Sequence, residues 1–178
     1  AALEQLHEEE SSDALLRAYA LYAAGRSADG LEGCPAGADG LALRGQMLRQ
    51  LGRHAEAAAA FRELLETPAL RQVFPQHLLT DLGSNLVASE VAAAGETGRP
   101  AEGVPESLQA LGLSPQDSME LAFNVGVALA GAGQVEDADF LLERALSLGR
   151  EDLAEQGLEE NEIEVELAAV ETERAWLQ

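Results

Sequence analysis

The chain has 178 residues, 47% of them apolar but only 4% aromatic, and its 32 Asp and Glu against 11 Arg give a formal net charge of −21. So acidic a surface repels phosphate, which argues against nucleic-acid binding by this chain alone and against an anionic membrane face. A single cysteine, Cys34, excludes an internal disulfide and a cysteine-rich zinc site.

Alanine takes the place of the missing aromatics. With Leu, Glu, Gln and Arg it makes a strongly helix-forming composition, and strand formers are scarce. An all-α fold is predicted. Leu15, Leu16, Tyr19 and Tyr22 fall on one helical face, with Ser11, Ser12 and Asp13 as N-caps ahead of it and a stop at Gly25. A weak helix over 27–32 is interrupted by Gly30, and 33–37 (GCPAG) reads as a turn. A clear helix follows over 41–51, closed by Gly52. Its partner over 54–66 carries Ala57, Phe61, Leu64 and Leu65 on one face. Pro68 and Pro75 bracket a connector, and a long helix over 78–94 ends at Gly95.

Residues 95–105 (GETGRPAEGVP) read as a loop and 107–111 as a short helix closed by Gly112. Ser114-Pro115 is expected to start a helix, because Ser caps and Pro is tolerated in a first turn. That helix runs to about Gly131, with Met119, Phe123, Val127 and Ala130 on one face. Its partner covers 135–148, residues 151–160 form an acidic linker, and 162–178 is a final helix.

A repeat underlies these elements. Three helices end in a glycine followed by a short polar step and a second helix: Gly25-Arg26-Ser27, Gly52-Arg53-His54 and Gly133-Gln134-Val135. Seven residues before each glycine stands a small residue (Ala18, Gly45, Gly126), and five after it another (Gly30, Ala57, Ala138). Four further on comes a larger apolar side chain: Cys34, Phe61 and Leu142. The small pairs mark where two antiparallel helices cross, and the larger residue fills the space towards the next hairpin. This is the tetratricopeptide (TPR) arrangement, with a period of about 34 residues. A bundle of alanine-rich hairpins without a repeat is the simpler alternative. The repeat reading gives one superhelical domain over 1–178, with units near 12–37, 38–71, 77–113 and 117–151. A lone helix over 160–178 reads as the start of a truncated repeat. Such hairpins stack into a superhelix whose concave face binds partner segments.

From residue 117 onward the chain resembles the family of 72-kDa protein subunits of the signal recognition particle. The resemblance rests on Ser118 to Gln134 (SMELAFNVGVALAGAGQ), in which Glu-Leu, two residues, then Asn leads into an Ala-Leu and a Gly-Gln turn. The leucine pair Leu141-Leu142, an acidic stretch and the run from Ile163 to Ala168 continue it. Upstream, Val104-Pro105-Glu106 with Leu111-Gly112-Leu113, Tyr19 and the Gly52-Arg53 turn are similar. Two features depart from the family: the chain has no lysine, and the second helix of the first unit is broken by glycine.

The resemblance implies a scaffold rather than an enzyme. Its concave groove would hold a C-terminal segment of the 68-kDa subunit, in support of co-translational targeting to the endoplasmic reticulum. The family binds the particle's RNA through a separate basic region, so no direct RNA contact is expected from this chain. The implied location is cytoplasmic, with a nucleolar stage during assembly. A generic TPR adaptor or co-chaperone is the alternative; capture of acidic peptides would require a cationic groove, which this composition disfavours.

The candidate partner-binding residues are Asn124, Phe123, Glu120 and Val127 in one first helix, Asn85 in another, and Gln46 and Arg49, with Leu43, in a third. Asn side chains can grip a peptide backbone, Arg49 can meet a carboxylate, and Phe123 is either an anchor or core. The acidic stretch 151–166 with Glu171 and Glu173 either attracts a basic partner or is simply solvated. Trp176 either packs on the 135–148 helix or lies exposed. An exposed apolar end would favour a homodimer when the partner is absent.

His7, His54 and His77 show no metal-ligand spacing, and no nucleophile, base and orienter assemble around Cys34. No metal, no cofactor and no catalysis are therefore expected. No apolar run reaches the ~20 residues of a membrane span, and the acidic start AALEQLHEEE is unlike a signal peptide.

Overall fold

The computed structural model describes residues 2–97, 108 and 112–177, with side chains from residue 11 onward. Among the described residues the fold is all-α. The chain divides into two compact units, Ala1–Ser89 and Glu90–Gln178.

The first unit contains α1 (Ala2–Ala23), α2 (Ser27–Glu32), α3 (Ala38–Gln50), α4 (His54–Glu66), the short α5 (Pro68–Arg71) and most of α6 (Gln76–Thr97). Helix α1 is continuous through Ser11, Ser12 and Asp13, so these are interior residues and not the caps expected of them. Only part of its expected apolar face is covered. Leu15 and Tyr22 are half-buried beside the buried Ala18, whereas Leu16 and Tyr19 are exposed. Leu15, Ala18 and Tyr22 pack with Leu31, Cys34, Leu43 and Met47, which seats α3 against the first hairpin. Helix α3 uses a second side towards α4, where Phe61, Leu64 and Leu65 are fully buried. Helix α6 runs on through Gly95 to Thr97, past its expected end. Its buried hydroxyls are satisfied within the helix: Ser89 Oγ donates to the Asn85 carbonyl at 2.7 Å and Thr80 Oγ1 to that of Gln76 at 3.2 Å. Most of the expected loop over 95–105 and of the short helix over 107–111 lies outside the described residues. Of that short helix only Leu108 is described, helical and fully buried.

The second unit is built on α7 (Met119–Gly131), α8 (Val135–Glu155) and α9 (Glu160–Ala175). Helix α7 starts four residues after Pro115. Ser114 instead opens a turn, its carbonyl accepting from the Asp117 N–H at 3.1 Å, and Ser118 is the N-cap, accepting from the Leu121 N–H at 3.3 Å. Helix α8 continues to Glu155, so half of the expected acidic linker is helical. Leu153 explains this, since it packs on the core of Ala122, Leu142, Ala145, Leu146, Ile163, Leu167 and Val170. Helix α9 starts with a capping box in which Glu159 and Glu162 satisfy each other's backbone N–H groups. Arg174 locks its far end to α8, with Nε 2.6 Å from Asp139 Oδ1 and a second nitrogen 3.4 Å from Glu143.

The glycine turns share one geometry. Gly25, Gly52 and Gly133 have φ of 72°, 71° and 77°. At each, the N–H of the following residue bonds the carbonyl five residues back, as in Arg53 to Leu48 at 2.9 Å, while the glycine N–H bonds three back. This is the Schellman helix end, which needs a left-handed residue and so favours glycine. Gly157, with φ 86°, repeats it between α8 and α9.

The crossings fall on the small residues singled out by the sequence register. A Cβ on Gly45 would lie 2.5 Å from the Phe61 ring, and one on Gly126 would lie 2.9 Å from Leu142. A Cβ on Gly30 would meet Met47 at 2.9 Å and the Ala18 carbonyl at 3.4 Å. The larger residues were expected to fill the space between hairpins. Cys34 does so against Leu43 and Met47, and Leu142 does so against Ile163 and Leu167. Phe61 is fully buried, with its ring on Gly45 of α3.

Candidate partner-binding surfaces

On α3 of the first unit, Leu43 belongs to the core at 9% exposure, which corrects its assignment to an open surface. It fills the contact with Ala18 and Met47. Gln46 and Arg49 of α3 are both half-buried. Asn85, half-buried on α6, meets Arg49. One guanidinium N–H of Arg49 donates to Asn85 Oδ1, and Asn85 Nδ2 donates to the Asp81 carbonyl at 2.8 Å.

The structure thus brings together two candidates 36 positions apart, Arg49 and Asn85, and sets Gln46 one turn before Arg49. Asn85 has its amide and carbonyl oxygen engaged, so its expected grip on a peptide backbone would compete with Arg49. The Arg49 charge, by contrast, faces a neutral amide, and it pairs with no carboxylate among the described residues. A guanidinium offers five N–H donors, and a neutral acceptor leaves its charge uncompensated. In a chain of net charge −21 that arrangement is informative.

On α7 of the second unit, Glu120, Phe123, Asn124 and Val127 share one side of the helix, while Leu121, Ala122, Val125, Gly126 and Leu129 are its buried residues. Glu120 is exposed and Asn124 half-buried. Phe123 and Val127 are half-buried and pack along the core shared with Leu142, Ile163 and Leu167. Phe123 is therefore partly core.

No protein-family model, curated protein or solved structure matches this chain.

Sequence reasoning missed the ion pairs that hold α9, because they join residues far apart. Arg150 meets Glu171 at 2.9 Å and Arg174 meets Asp139 at 2.6 Å. The hydrogen bond from Arg174, and secondarily its charge, holds the Asp139 carboxyl below the usual carboxylate range. Glu171, considered for a basic partner, is thus already paired. Trp176 is exposed at 82% and does not pack on α8.

Cys34 is half-buried. Its thiol donates to the Gly40 carbonyl at 3.1 Å, and burial pushes its pKa up, away from the thiolate a nucleophile needs. Among the described residues no three His, Cys, Asp or Glu side chains gather as metal ligands, and no helix is long and apolar enough to cross a membrane.

Proposed function

We propose that this chain is a TPR-type scaffold, its hairpins stacked as a superhelix, that holds a segment of another protein rather than catalysing a reaction. In its specific form the reading is that of the 72-kDa subunit of the signal recognition particle. The chain would hold a C-terminal segment of the 68-kDa subunit in the cytoplasm, in support of protein targeting to the endoplasmic reticulum. The observation that carries the binding role is the half-buried Arg49, presented by Asn85 with its charge unmatched. A segment bringing a carboxylate to Arg49 suits the surface of the first unit, and one bringing backbone groups to Asn124 suits that of the second. The family assignment rests on the run from Ser118 to Gln134 and on the Ile163 to Ala168 motif.

The test is the affinity of the 68-kDa subunit's C-terminal segment for the chain and for Arg49→Ala and Asn124→Ala. A loss of about 1–3 kcal/mol in either variant, with unchanged helicity, supports this site. Tight binding indifferent to both moves the site elsewhere on the chain. A second expectation is that the chain does not retain the particle's RNA at physiological salt; retention would contradict the charge argument.

A further inference from the structure

Helix α9 has two apolar faces, and only one is covered. Ile163, Leu167 and Val170 are buried against α8 and α7. Opposite them, about half a turn round the helix, run Val165, Ala168, Ala169, Thr172 and Trp176. Val165 is exposed at 74% and Trp176 at 82%, among the largest exposures of any apolar side chain described. Thr172 is less polar than its name suggests, because its hydroxyl donates to the Ala168 carbonyl at 2.7 Å and leaves the methyl outward.

This outer seam lies between two acidic rows. Glu162, Glu166 and Glu173 follow one edge, and Glu160, Glu164 and Glu171 the other. The one cation of α9, Arg174, points to the covered side and is held by Asp139 and Glu143. Glu171 is paired with Arg150; the remaining carboxylates leave the rows strongly negative. Ala168 and Ala169 at mid-seam would let another helix approach closely, as Gly149 does where Leu167 crosses α8.

We propose that the outer seam of α9 is a docking site for an amphipathic helix whose apolar stripe is bordered by Lys or Arg. The charge selects this occupant. A second copy laid seam to seam would set glutamate rows against glutamate rows, and like charges across a contact are strongly disfavoured. A basic helix would instead match both rows while covering Val165 and Trp176. This site shares no residue with the candidates on α3, α6 and α7, so it stands whether or not the 68-kDa segment binds them.

The probe is a synthetic 18-residue helix with a Leu/Ala stripe flanked by lysines, and a twin with glutamates in place of the lysines. Trp176, the only tryptophan, reports binding by a blue shift of its emission. The expected result is saturable one-to-one binding of the lysine peptide and none of the glutamate twin. Affinity should fall at least tenfold in Val165→Ser and in the double variant Glu164→Gln/Glu166→Gln. Phe140→Ser, which removes an apolar side chain 57% exposed on α8, should leave it unchanged. Circular dichroism checks that each variant is folded. Failure to bind, equal binding of the twin, or indifference to Val165→Ser would overturn the proposal. So would sedimentation showing that the free chain is a dimer dissociated by Val165→Ser, since a second copy would then own the seam.

Discussion

The hairpins α3/α4 and α7/α8 cross on the same register but fill the crossing differently. In the first, the rigid Phe61 ring lies on bare Gly45, where a Cβ would come within 2.5 Å of it. In the second, the flexible Leu142 lies on Gly126, where a Cβ would come within 2.9 Å, and the same leucine reaches on to Ile163 and Leu167 of α9. The small residue of the register sets where helices meet. The larger residue decides how far the crossing can give: a ring yields less than a leucine.

Mutations can break that comparison. The largest effect is expected from Phe61→Ala, which empties a fully buried site and should cost about 3–5 kcal/mol in urea unfolding. Leu142→Ala should cost about 2–5 kcal/mol and also loosen α9, seen as faster amide exchange over 163–170. Next comes Gly45→Ala, at about 1–3 kcal/mol, because a ring cannot give way. Gly126→Ala should cost less, since leucine can change rotamer. Phe61→Leu combined with Gly45→Ala sharpens the point: the double variant should be more stable than the two single losses predict. Strict additivity would mean that Phe61 does not set the crossing.

Smaller effects should come from the turns and the surface. Gly52→Ala forces a Cβ into φ 71° and should cost about 1 kcal/mol. The Arg174–Asp139 pair is partly exposed, so Asp139→Asn should cost under ~1 kcal/mol at pH 7 and less in high salt. The sign with pH follows from the depressed carboxyl of Asp139. Its contribution is present above the unfolded value near ~3.9 and is lost as pH falls through the lower folded value. The Asp139→Asn difference should therefore shrink as the solution is made acid and be lost once the carboxyl is protonated in the folded chain.

The parts of the fold legible in the sequence were the local ones. Gly25, Gly52 and Gly133 mark helix ends because a left-handed residue is needed there, and the small residues around them mark the crossings. Helix boundaries that tertiary packing decides were not legible. Ser114-Pro115 carries as good a start signal as Ser118, yet α7 begins after Ser118. Acidic residues 151–155 look like linker, but Leu153 anchors them as helix. The candidate site was legible only in part. Spacing placed Arg49 and Asn85 in first helices, but their meeting across 36 positions, and the burial of Leu43, depend on how helices stack.

Partner binding is the central claim, and calorimetric titration of the intact chain with the C-terminal segment of the 68-kDa subunit tests it most directly. Saturable one-to-one heat, tighter than for a scrambled segment of the same composition, is the predicted result. No heat above that of the scrambled segment would contradict the assignment to the signal recognition particle.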